Sequence, residues 1–469
     1  MPKRPALLRS ALALIAILLA QPQPLPPAIA EDFRAAQTAT AQQNYSLAAA
    51  ALADAAARLP YAGFVAYHTG LAENAAQRYS AALRHLLTSA ALDGWTPAKR
   101  VAVGDAYLGL GDRASAEQYW ELALQSNADE ELLARLAVSY EPGGRYAEAI
   151  QVLTQLAERR PADPQVSYRL ALLKAVTTPA EALSRLELVA QIHPPLALNA
   201  HLLIDAIEAG QAARDEAYTA GRVGFALIQL KEWPLAEAAL SRAASLNPNY
   251  ADAYAYLGLA QDRQGKDGRA AAEQAVALAP DSPLANFFLG LHWRRVGQSG
   301  TALNFLKKAQ SLDPQNPAIA AEMSGAYASL ADLAQAEVWF TKAVELDARN
   351  PDFWLLLARF YADNEYHLAD LGLPAARMAA GLSPDSAPAA DVLGYTLLLT
   401  GDFVNAEKTL EHAVHLDPDF PSTYYHLGLL YYKQGKHTEA RAAFEHTLAL
   451  DPQGQYGGLA LRALALVAH

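Results

Sequence analysis

Residues Pro421–Pro452 read PSTYYHLGLLYYKQGKHTEARAAFEHTLALDP. In the first half, Tyr424, Leu427, Gly428 and Tyr431 stand at offsets 0, +3, +4 and +7, which lines one face of an α-helix with packing residues. Gly435 follows, where a helix can stop because glycine enters the left-handed region without a Cβ clash. The second half repeats the pattern with Ala440, Phe444 and Thr447. Pro452 closes it, having no N–H to donate and restricting the residue before it. A helix pair of this kind is apolar on two sides and needs neighbours like itself to bury both.

The chain supplies those neighbours. Pro452, Pro418 and Pro384 are spaced by 34 residues, and the same shift carries Leu427–Gly428 to Leu393–Gly394, Ala440 to Ala406 and Phe444 to Leu410. Related sets recur at Leu289–Gly290, Trp293, Gly297, Ala302 and Leu306, and near the front at Val103–Gly104, Tyr107, Gly111, Ala116 and Trp120. The small residues let paired helices approach, and the large ones fill the space left over. A two-helix unit with Leu-Gly, Tyr, Ala, Phe or Leu and a closing Asp-Pro resembles the tetratricopeptide repeat (TPR). The resemblance implies an all-α, right-handed α-solenoid of about twelve helix-turn-helix repeats: 31–62, 63–96, 97–129, 130–163, 164–196, 217–250, 251–282, 283–316, 317–350, 351–386, 387–420 and 421–454. It divides the chain into an N-terminal array (31–196), an irregular helical junction (197–216) at which the superhelix is expected to kink, a C-terminal array (217–454) and a capping helix (455–469). The unit 251–282 is two residues short and the unit 351–386 two long.

Residues 1–30 differ in kind. Lys3, Arg4 and Arg9 precede the apolar run Ala11–Ala20, and a proline-rich stretch ends in Ala28-Ile29-Ala30. That is the pattern of an export signal cleaved near Ala30; the alternative is a retained membrane anchor. The apolar run is shorter than the roughly 20 residues a spanning helix needs. Cleavage would take the formal net charge from −12 to −15 by removing those three cations. The mature chain is thus expected outside the cytoplasm, in the periplasm, at the cell surface or beyond it. It contains no cysteine, so disulfides and thiol chemistry are excluded. An acidic chain without a basic stripe repels phosphate backbones, so nucleic acid is not an expected partner.

No motif announces catalysis, and no cofactor-binding pattern is present. There is no glycine-rich phosphate loop, no G-x-S-x-G elbow and no nucleophile beside a recognisable base. His412, His415 and His446 fall on second helices, but in Glu411-His412-x-x-His415 the glutamate lies outside the histidine pair. They read as solvent-facing side chains, and no metal site is expected.

In proteins resembling this one, first helices line the concave surface. Positions one residue past the packing residues point about 100° further round, toward that groove. In the last unit this assigns Tyr425, Leu429, Tyr432 and Lys433 to the groove and leaves Tyr424 and Tyr431 to packing. Elsewhere it assigns Asp391 and Tyr395, Arg359 with Asp363 and Leu355, Phe287 and Arg294 with Leu291, and Tyr218 and Phe225 with Gln229. Tyrosine and arginine are enriched among residues that dominate interface energies. The family's chaperone-tail clamp needs Lys and Asn one helical turn apart on first helices; here those places hold Tyr425 and Leu429, Asp391 and Tyr395, Phe287 and Leu291. That clamp is absent.

The expected function is therefore a non-enzymatic scaffold binding proteins or peptides along its concave groove. The alternatives are a structural component of a cell-envelope assembly and an accessory to a cell-wall enzyme. Membrane contact is expected only if the N-terminal segment is retained. The last segment, QYGGLALRALALVAH, has few polar residues for a cap, which leaves a face for self-association.

Overall fold

The computed structural model describes residues 26–126 and 129–467. These contain 26 α-helices, one 3-10 turn and one π-helical turn, and among the described residues there is no strand. Two compact units divide the chain, one reaching Ala239 and the other beginning at Leu240. From the N-terminal side, α1 (Pro27–Ala41) pairs with α2 (Tyr45–Arg58) and α3 (Gly63–Ala75) with α4 (Tyr79–Asp93). Then α5 (Pro97–Gly109) pairs with α6 (Arg113–Leu124), α7 (Glu130–Tyr140) with α8 (Tyr146–Arg159), and α9 (Pro164–Thr177) with α10 (Pro179–Ile192). A single helix, α11 (Pro194–Ala213), packs against both α10 and α12 (Glu216–Gln229), and α13 (Trp233–Leu246) follows.

In the second unit α14 (Ala251–Arg263) pairs with α15 (Arg269–Leu278), α16 (Pro283–Arg295) with α17 (Ser299–Leu312), and α18 (Pro317–Ser329) with α19 (Leu333–Leu346). The pairs α20 (Pro351–Asp363) with α21 (Leu373–Leu382), α22 (Ala387–Leu399) with α23 (Phe403–Leu416) and α24 (Pro421–Lys433) with α25 (His437–Leu450) complete the series. A final helix, α26 (Gln455–Val467), packs on α25. The architecture is an all-α solenoid.

Local chemistry sets these boundaries. Proline stands at the first position of α5, α9, α16, α18, α20 and α24, where its missing N–H costs nothing. Asp112, Asp332 and Asp402 cap second helices by accepting the N–H three residues on, at 3.1–3.2 Å. The turn inside most pairs has a left-handed residue seven positions after the small packing residue, whereas α9 and α10 meet at Thr178 with φ −135°. Gly401 (φ 88°) and Gly435 (φ 76°) supply it without strain, while Gln77, Lys231 and Ala331 adopt the same region at φ 60°. Between paired helices the fit is small against large. A Cβ on Gly428 would lie 2.4 Å from the Phe444 ring, so Phe444 fills the space that glycine leaves.

The two irregular lengths have visible causes. In the short unit, α15 begins so soon after α14 that the backbones of Gly258 and Gly268 touch, and a Cβ on Gly268 would lie 2.1 Å from the Gly258 carbonyl oxygen. In the long unit the surplus is absorbed by a π-helical turn, Leu368–Gly372, after Glu365 and His367 take left-handed conformations.

The N-terminal basic and apolar segment through residue 25 lies outside the described residues. Helix α1 starts at Pro27, and Ile29 is buried with Phe33, Leu52 and Val65. Among the described residues no helix is long and apolar enough to cross a membrane.

Candidate binding surfaces

First helices touch the next first helix throughout the second unit, from α14 to α26, and α3 touches α5 in the first. Second helices make no comparable contact with one another among the described residues. Within each unit first-helix side chains therefore converge on an inner side, and one place in each unit holds concentrated polar groups.

The first is a cavity of about 260 Å³ in the N-terminal unit, lined by α3 (Tyr67, Leu71, Asn74), α5 (Val101, Ala102, Asp105) and α7 (Glu131, Leu132, Arg135), with Thr40, Tyr45 and Asp129 at its margin. Arg135 donates to Glu131 (2.7 Å) and closely to Asp105, whose Oδ1 also accepts from the Trp120 indole at 3.2 Å. Burial raises the Asp105 carboxyl pKa, and Arg135 opposes the rise. Burial also raises the Tyr67 phenol, with the Asp105 charge adding to it. Asn74 donates to the Ala102 carbonyl at 2.8 Å, tying α3 to α5. The cavity thus has a fixed polar floor and aromatic walls. Sequence reasoning assigned none of these residues to the groove, although Tyr67, Leu71 and Asn74 stand at the same offsets from Gly70 as Tyr425, Leu429 and Tyr432 do from Gly428. Val101 and Asp105 follow from Gly104 in the same way; Glu131 and Arg135 do not, because α7 presents a different edge.

The second is a cluster on α20, α22, α24 and α26. Asp391 is fully buried; its oxygens accept from the Ser422 hydroxyl (2.7 Å) and bond to His426 Nδ1 (2.8 Å). His426 stacks face to face on Tyr395, 4.0 Å between centroids, and burial pushes the Tyr395 phenol up to about 12. Tyr425 packs on Phe444 and Tyr456, and Arg359 donates to the Tyr456 hydroxyl at 3.3 Å. Serine, aspartate and histidine meet here, but the Ser422 hydroxyl is given to Asp391 rather than to His426. Both are buried, so no nucleophile is activated.

Of the residues assigned to the groove by sequence, Arg359, Asp391, Tyr395 and Tyr425 are brought together in this cluster. The assignment of Asp391 as an open groove contact is corrected: its charge is spent holding α22 to α24. Leu429 is partly buried against Leu430, Phe444 and their neighbours. Tyr432 is 39% exposed and meets His437 edge-on, and Lys433 is exposed. Phe287 packs in the core with Phe288 and Met323, and Arg294 forms an ion pair with Glu322 at 2.5 Å. Tyr218 and Phe225 are half-buried on α12, in the N-terminal unit. Sequence reasoning missed Ser422, His426 and Tyr456, whose positions fall on the axis-facing edge only once neighbouring helices are stacked. His412 is exposed, and His446 lies edge-on to Tyr424 at 4.2 Å. Among the described residues no group of three or more His, Cys, Asp or Glu is placed to hold a metal ion.

Four tetratricopeptide repeat family models match between them residues 102–173, 266–317, 295–360, 394–435 and 421–453. The chain is a tetratricopeptide repeat protein. A 185-residue stretch is 28% identical to the human protein O-mannosyl-transferase TMTC1, covering 35% of this chain and 21% of that protein. The chain thus matches about a fifth of that relative's length. Among solved structures, the APC/C hetero-tetramer Cut9-Hcn1 aligns over 98% of this chain and 99% of its own at 13% identity and a TM-score of 0.43. A tetratricopeptide repeat protein from Parabacteroides merdae aligns over 54% and 99%, at 15% identity and a TM-score of 0.44. As a repeat of this family, the protein is a scaffold of the kind used in protein interaction.

Proposed function

We propose that this tetratricopeptide repeat protein is an exported, non-catalytic scaffold that binds a protein or peptide along the inner face of its first helices. The observation that carries the reading is the N-terminal cavity. Three successive first helices contribute to it, it is open, and its polar floor is held rigid by the Trp120–Asp105–Arg135–Glu131 chain. A preformed, partly apolar concavity with a few fixed polar groups is what a peptide site requires. The non-catalytic reading is supported by the helical repeats, which use up nearly all the described residues. Export is supported by the basic, apolar and Ala-x-Ala succession at the N-terminus. Cleavage after Ala30 would remove Ile29 from the α1 core, a burial worth about 1.5–3 kcal/mol, so N-terminal sequencing of the mature chain from its host is the direct check.

Substituting Leu71→Arg fills the cavity from a half-buried position at its wall. Peptides selected on the full wild-type chain from a displayed random library should bind this variant at least tenfold more weakly, measured by calorimetry. Equal affinity for both chains would remove the cavity from the binding surface.

A further inference from the structure

The last helix does more than seal the array. Helix α26 is buried at Gly457, Ala460 and Ala463, all small, and packs Leu464 and Val467 half-buried against Phe444 and its neighbours, while Leu461 and Leu466 are 60% and 68% exposed. The largest group it inserts toward the inner face is Tyr456. Its placement is built: Asp451 Oδ2 accepts the N–H of Tyr456 (3.0 Å) and of Gly457 (3.2 Å), and a Cβ on Gly457 would lie 1.7 Å from the Asp451 carbonyl oxygen. That close crossing turns the first residues of α26 inward and carries the phenol to Arg359, 97 residues earlier in the chain.

The receiving pocket matches a phenol on each of its parts. The ring of His426 meets the Tyr456 ring edge-on, 5.9 Å between centroids and 88° between planes, and the Tyr425 ring lies 5.9 Å away at 54°. The Arg359 guanidinium donates to the hydroxyl at 3.3 Å. His426 cannot swing aside, because its Nδ1 is held by the buried Asp391 and its face by Tyr395. A cap that only shielded apolar surface would need none of these polar groups.

We propose that the pocket formed by Arg359, Tyr425 and His426 is a subsite for a tyrosine side chain of a partner peptide, and that Tyr456 occupies it in cis. This inference rests on the reading of the inner face as the binding surface. A ligand tyrosine entering the pocket displaces the Tyr456 ring and loosens the start of α26, whose remaining contacts are Gly457, Ala460 and Ala463 with Leu464 and Val467 half-buried behind them. A phosphorylated tyrosine fits less well, since burial already raises the Tyr456 phenol in this pocket, with Asp391 and Asp363 adding to the rise and Arg359 opposing it.

The test uses the full chain and N-acetyl-tyrosinamide as probe, with the phenylalanine and phosphotyrosine amides as comparisons. Tyr456→Ala should bind the tyrosine amide at least tenfold more tightly than the wild type, with a preference over phenylalanine that Arg359→Leu in the same background abolishes. Gly457→Ala should open the same pocket by displacing the helix while keeping the ring, so the test survives if either variant folds poorly. In the wild type, saturating tyrosine amide should speed amide exchange across residues 457–466, and the phosphotyrosine amide should not. The proposal is overturned if neither variant gains affinity and wild-type exchange is unchanged, or if tyrosine and phenylalanine amides bind alike. Such a result together with an intact Leu71→Arg effect would discard the tyrosine subsite and keep the peptide-binding reading.

Discussion

At the scale of single residues, the most consequential departures from the repeat pattern are buried polar side chains. His68 sits on α3 at a position that other units fill with residues as different as Ala102, Arg135 and Phe288; it is 4% exposed and packs edge-on to Phe33 and Tyr67. Its Nδ1 has no hydrogen-bond partner, and burial lowers its pKa to about 4. The unfolded chain, with an ordinary histidine near 6.5, binds the proton more readily than the folded one across the interval between those values. Stability from His68 is therefore complete above about pH 6.5 and falls as pH drops toward 4. Urea unfolding at pH 7 and pH 4.5 should show the wild type losing about 2.5 kcal/mol more than His68→Phe does. Equal losses would mean that the imidazole is protonated in the fold. Nothing in the periodicity marks His68 as unpaired; only its position between two rings does.

At the scale of helices, much was legible. The 34-residue spacing of Leu-Gly, Tyr, Ala and Phe placed the paired helices because each small residue has a large partner across the pair. Gly428 against Phe444 is the clearest case, and its alanine variant tests the rule: with the missing Cβ position 2.4 Å from the ring, Gly428→Ala should cost about 1–3 kcal/mol, read as a shift of the urea midpoint. A neutral result would mean that the interface adjusts freely. Less legible was how irregular lengths are absorbed. The long unit could have looped out, but a π-helical turn keeps Tyr366 and His367 stacked at 4.0 Å and sets His367 beside Glu337. The lone helix beginning at Pro194 finds partners on both sides, which a count of pairs does not reveal.

At the scale of the whole molecule, each repeat contacts little beyond its neighbours, so a local change should stay local. Hydrogen exchange provides the measurement. Acidification acting on His68 should raise exchange in helices α1 to α5 and leave α22 to α26 unchanged, and Gly428→Ala should do the reverse. A uniform rise along the chain in either case would show one cooperative unit instead. The sequence by itself determined the helix pairs and their approximate number, because those depend on spacing along one chain. Only the tertiary structure decided which inward residues remain open. Asp391 and Tyr425 read like neighbours of equal promise, yet stacking buries one under Ser422 and His426 and sets the other against Tyr456. Tyr67 and Asp105, in contrast, border an open cavity. Burial depends on the registry of helices more than thirty residues apart, which no local period encodes.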